Sequence, residues 1–163
     1  MTIELVPPPA NNELLVSSKD TIFQIDQKLS ELHDPEYIEK LASAVRLAVA
    51  AHEGHDGLDD KPLALHCADV ALSPALATLE QKQLGLLHDA ATPGYSNFTP
   101  NEFIEKAREA GISERVIAAA VCFVRPAEGW QYDDWVSFLM RDDLTRLAKM
   151  ADSDAAIHNF PPA

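Results

Sequence analysis

Apolar positions in this chain recur mostly at intervals of three and four, and no stretch sustains the apolar–polar alternation of a half-buried strand. The pattern therefore predicts helices. A short one is expected near Asp20 to Leu32. Asp34 and Pro35 then supply an N-cap and a proline at the first helical position of a helix that carries Leu41, Val45 and Ala48 on one stripe and reaches His52. After the loop "EGHDGLDDKP", the segment "LALHCADVAL" reads as a short helix ended by Ser73-Pro74, itself the expected cap of a helix running to His88. Thr99-Pro100-Asn101-Glu102 is a capping box, and Gly111 ends the helix that it starts. Ser113 caps the next, which carries Val116, Ile117, Ala120, Val121 and Val124 at helical spacing and is broken by Pro126. "YDDWVSFLMR" and "DLTRLAKMADSDAAIH" supply the last two. "PPPANN" is too rich in Pro and Asn to hold a helix, so residues 1–18 read as a flexible tail and 19–163 as one domain. The expected fold is all-α, an irregular bundle of about six to eight helices.

Composition narrows the function. A chain of 163 residues can bury a core without disulfides, and Cys67 and Cys122, each in an apolar run, read as buried free thiols. A net charge of −13 disfavours a nucleic-acid or anionic-membrane surface. No run approaches the length of a membrane span, and the N-terminus lacks a basic start followed by an apolar core, so a cytoplasmic protein is expected. Oligomeric state is not legible. There is no Gly-rich phosphate loop, no G-x-S-x-G and no H-E-x-x-H.

The candidate chemistry lies in ionisable residues on apolar stripes. His88 follows Leu84 by one turn and Ala77 by three, Asp152 follows Ala148 and Leu144 in the same way, and His66 lies one turn before Val70. With Asp89 they form a set of two imidazoles and two carboxylates, suited to Mn, Fe or Zn. An ion there would neutralise the carboxylates and lower the pKa of a bound water. Each residue also admits an ordinary role, as a hydrogen-bonded core histidine, a cap or an ion-pair partner. His33, His52, His55 and His158 have less support; a capping or dipole role suffices for His33 and His52. Cys67 does not read as a nucleophile paired with His66, because adjacent helical side chains diverge by about 100°. Trp130, Tyr132 and Trp135 read as core or groove wall.

Three segments in order, "KPLALHCADVAL", "GLLHDA" and "LAKMAD", resemble the HD superfamily of metal-dependent phosphohydrolases, closest to the RelA/SpoT-type branch that removes pyrophosphate from (p)ppGpp. The resemblance covers roughly residues 36–160. It implies an HD-domain-like bundle and one divalent metal held by His66, His88, Asp89 and Asp152, with Asp154 as the last ligand if the register differs. Mn is the first choice, with Fe, Zn, Co or Ni also compatible. It further implies a small phosphorylated nucleotide as substrate, with Asp89 sharing proton handling and Lys149 neutralising phosphate, and Arg46 or Arg125 reaching in or lying on the surface. The sequence departs from the family at three places. Thr92-Pro93 stands where a Glu-Asp pair positions the attacking water, "HDGLDDK" is acidic where basic residues meet the nucleotide, and Ala156 replaces an Asn near the ribose unless Asn159 stands in. The alternatives are an inert HD domain that binds a nucleotide or protein partner, and a plain helical interaction module.

Overall fold

A computed structural model describes residues 16–32, 34–57, 61–124 and 131–159, without the side chains of 16, 17 and 156–159. The expectations for His33, Asp59, Asp60, Arg125, Pro126 and Trp130, for residues 1–15 of the tail, and for the side chains of Ala156, His158 and Asn159 lie outside these residues. The described residues form eight helices: α1 (Val16–Leu29), α2 (Pro35–His52), α3 (Leu63–Ala71), α4 (Leu79–Leu87), α5 (Pro100–Glu109), α6 (Glu114–Cys122), α7 (Tyr132–Leu139) and α8 (Asp143–Asn159), with a 3-10 turn at Ser30–Leu32 after α1. The fold is all-α, and no strand occurs among the described residues. None of these helices is long and apolar enough to cross a membrane.

Local sequence explains most boundaries. Asp34 accepts from the backbone N–H groups of Glu36 and Tyr37, with Pro35 at the first position of α2. Thr99 and Glu102 form a reciprocal capping box at α5, and the Ser113 side chain caps α6. Gly111, at φ +80°, turns the chain between them in a conformation that side chains rarely adopt. Two boundaries differ from expectation. α1 begins at Val16, four residues before Asp20 and inside the expected tail. Ser73-Pro74 does not cap α4; that cap is Thr78, whose reciprocal pairing with Gln81 satisfies two backbone donors, while Ser73 accepts from Ala75 N–H in a turn. A two-ended capping box outcompetes a lone Ser-Pro. Ala77 therefore precedes α4, and only Leu84 links His88 to the stripe.

α4 lies at the centre, in contact with α2, α3, α6 and α8. Lys82 to Leu87 are all buried, so this short helix is covered nearly all round rather than along one stripe. Gly85 makes that possible. A Cβ built there would lie 2.8 Å from Ala71 Cα and 3.0 Å from Ala71 N, so α3 and α4 meet backbone to backbone. Buried Lys82 donates from Nζ to Ala71 O at 3.0 Å, meeting an acceptor at the end of α3. The principal core unites Leu84, Leu86 and Leu87 with Leu41, Val45 and Ala48 of α2, Phe103 of α5, Val116 and Ile117 of α6, and Leu144 of α8. The loop after α4 returns to α2, where Asn97 serves three carbonyls at the helix end: its backbone N–H meets Ala51 O, and its side-chain amide meets Ala50 O and Glu53 O.

Candidate metal centre

The end of α4 places the centre of the site. His88 keeps helical torsions as the residue that closes α4, and its Nδ1 lies 2.7 Å from Gly85 O. A carbonyl can only accept, so Nδ1 carries a proton, and Nε2 is the nitrogen left to take either a second proton or a metal ion. One hydrogen bond thus serves an orphan carbonyl of the helix terminus and fixes the tautomer. Nε2 is buried and makes no hydrogen bond. It lies 3.1 Å from Asp89 Oδ2 and 3.4 Å from Asp152 Oδ1.

The other residues converge on that nitrogen. α3 is anchored by buried Leu63, Leu65, Cys67 and Val70, which leaves His66 at the lip of the site with Nε2 2.8 Å from Asp152 Oδ1. α8 is seated by Leu144 and Ala148, which brings Asp152 inward one turn later. Its two oxygens divide their partners: Oδ1 faces the imidazoles, and Oδ2 lies 3.5 Å from Lys149 Nζ. Ligand atoms of His66, His88 and Asp89 all lie within 4.8 Å of one another, so these three can hold a metal ion. Asp152 adjoins both imidazoles of that group. The expected four residues are brought together from three helix regions.

The electrostatics call for a cation. For His88, burial disfavours charge, but Asp89 and Asp152 outweigh it and hold the imidazole well above its usual range. For Asp152, burial opposes ionisation, and its contacts with His66 and His88 overcome this and depress the carboxyl well below the usual value. Asp89 is likewise lowered: His88 prevails over burial. A lone pair facing two carboxylate oxygens, away from water, is stable only with positive charge between them, either a proton or a metal ion. The donor set of two imidazoles and two carboxylates fits a first-row divalent ion, and the unpartnered Nε2 of His88 is the atom that such an ion would satisfy.

Behind the centre lies a layer that sequence reasoning assigned elsewhere. His52 is no simple helix-end charge: it is buried, with Nδ1 2.6 Å from Tyr95 O and Nε2 3.7 Å from Cys67 Sγ. Burial holds it down at about 4, against the Tyr95 hydrogen bond, so it is neutral near pH 7. Burial likewise pushes the Cys67 thiol up to about 12, which makes it an inert core group. Both cysteines are free, Cys67 buried and Cys122 partly so. On the other flank the Phe123 ring lies 5.6 Å from that of His88, edge to face, and Trp135 packs on Phe123. Trp135 and Tyr132, expected from the sequence as core or groove wall, form a wall beside the site. Gly85, three residues before "HDA", was the available signal of a close backbone approach.

Other candidates lie away from the four. Asp154 is exposed and lines a cavity with Asp69 and Ser73, because residues two apart on a helix point to opposite sides. Arg46 is exposed and lines a cavity with Phe98 and Lys106, near Asp26. Asp56 turns outward to a cavity that it shares with Ser18 and Asp20. His55 pairs with Asn97. The Thr92 hydroxyl is buried without a partner. No family model matches this chain, and no curated protein matches it.

Proposed function

We propose that this chain is a metal-dependent phosphohydrolase of the HD type, acting on a phosphate ester or pyrophosphate of a small nucleotide, with one divalent ion held by His66, His88, Asp89 and Asp152. The observation that carries this reading is the buried, unpartnered Nε2 of His88, which faces oxygens of two carboxylates. Mn is the first candidate, and Fe, Zn, Co or Ni suit the same donors. A bound ion of this kind supplies Lewis-acid polarisation of a phosphoryl oxygen and acidifies water. The chain's own groups do the rest. The Gly85 carbonyl keeps the His88 proton on Nδ1, so Nε2 remains a donor of electrons. Asp89, ionised and partly exposed, is the carboxylate assigned a share in proton handling, by its place beside the ion. Lys149 supplies positive charge beside Asp152 for a phosphoryl oxygen.

A second reading is a catalytically inert centre that binds a nucleotide or a protein partner. It is favoured by the buried Thr92 hydroxyl, which occupies the place of the carboxylate that the resemblance implies and offers no base. The two readings share the ion and differ in turnover. Both are tested by elemental analysis of protein purified without chelator, alongside His88→Ala, followed by a screen of nucleotide phosphates with Mn. The expected result is about one ion per chain in the wild type, none in the variant, and phosphate or pyrophosphate release by the wild type alone. No ion in either protein after incubation with Mn overturns the metal reading, and an ion with nucleotide binding but no turnover selects the second reading.

A further inference from the structure

Lys149 is held in a way that an ion pair alone does not require. It stands one turn before Asp152 on α8, and its side chain is only 12% exposed. A lysine on a helix normally lays its stem along the surface and keeps its ammonium in water. Here Nζ lies 5.3 Å from the centre of the Trp135 ring and 5.9 Å from that of Tyr132. Trp135 is itself fixed: Nε1 donates to Cys122 O at 3.3 Å, and the ring meets Phe123 edge to face, as Phe123 in turn meets His88. Tyr132 packs against Trp135 and is half exposed. One aromatic layer from α6 and α7 therefore fixes both a ligating imidazole and the cation beside the centre.

The charge balance gives that arrangement a use. In a chain with net charge −13, a phosphate-type anion approaching Asp89 and Asp152 meets repulsion that a nearby ammonium relieves. A free lysine loses much rotamer freedom when it pairs, whereas one already held against ring faces does not. Resting on the phosphohydrolase reading, we propose that Trp135, with Tyr132 beside it, is a positioning residue that holds the Lys149 ammonium at the edge of the centre to receive the anionic oxygens of a phosphate-type substrate.

The test is calorimetric titration of inorganic pyrophosphate into the full-length protein as wild type, Lys149→Met, Trp135→Leu and Trp135→Phe, with and without Mn, and with ion content measured in each sample. Lys149→Met and Trp135→Leu are expected to weaken binding about tenfold. Trp135→Phe, which keeps a ring face, is expected to stay within about threefold of wild type, with ion content alike in all four. In chelator, the Lys149 ε-methylene protons should show an upfield ring-current shift by NMR in wild type and Trp135→Phe that is lost in Trp135→Leu. Wild-type affinity in Trp135→Leu, equal losses in the Leu and Phe variants, or no pyrophosphate binding by the wild type would overturn the proposal. Failure of the phosphohydrolase reading is read separately, from an ion-free wild type; the ranking of the four proteins without Mn then decides the clamp.

Discussion

At the scale of the residue, burial decides what each ionisable group is for. His52 and His88 are both buried, yet they are driven in opposite directions: burial prevails at His52, whereas at His88 two facing carboxylates outweigh it. His52 has a pH consequence with a definite sign. Its folded pKa of about 4 lies below the usual 6.5, so between these values the unfolded chain binds a proton that the folded chain does not. The contribution is fully present above about 6.5 and is lost as pH falls toward 4, by about 3 kcal/mol at most. Urea unfolding in chelator at pH 7 and pH 4.5 should therefore show a steeper acid loss in wild type than in His52→Gln. Equal slopes would mean that His52 protonates in the folded protein. The sequence placed His52 at a helix end correctly, but its charge state follows from burial, which overrides the Tyr95 hydrogen bond and is decided by the packing of segments distant along the chain.

At the scale of the element, the α3–α4 contact couples the fold to the site. Gly85 faces the backbone of Ala71, and its carbonyl orients His88, while α3 also carries His66. Gly85→Ala gains about 1 kcal/mol of helix propensity but must push α3 away, and overpacking against backbone costs about 1 to 3 kcal/mol. A net loss of about 1 kcal/mol in thermal unfolding is expected, together with weaker Mn binding as His66 and His88 separate. Unchanged Mn affinity would show that α3 can move without disturbing the centre. Caps were legible wherever one local pair dominates, as at Asp34, Thr99 and Ser113, because those hydrogen bonds span only a few residues. The start of α4 was not legible, since two capping signals compete over 73–78 and the winner satisfies more backbone groups. Nor was the burial of every residue from Lys82 to Leu87, which no stripe along that stretch encodes.

At the scale of the whole molecule, the four candidate ligands come from α3, the end of α4 and α8, so an ion held by them would tie these helices together. An ion bound only by the folded chain stabilises it by mass action, by about 2.7 kcal/mol when free ion is one hundred times Kd. For a chain of this size that corresponds to about 5 to 10 °C in Tm. Adding a chelator to metal-loaded wild type should lower Tm by that amount and leave Asp89→Ala unmoved. An equal fall in both would exclude Asp89 as a ligand.

By itself the sequence determined the helical class and most helix starts, and singled out His66, His88 and Asp89 with Asp152 or Asp154 as candidates, because helical periodicity and caps act over a turn or two. The tertiary structure alone decided that Asp152 rather than Asp154 meets His66, that His88 turns Nε2 to two carboxylates without a hydrogen bond, and that the Lys149 ammonium lies against the rings of Trp135 and Tyr132. Those facts depend on the packing of α3, α4, α7 and α8 against one another. Distances between groups so far apart in the chain are set by side-chain volume and the close approach at Gly85, quantities that no local pattern carries.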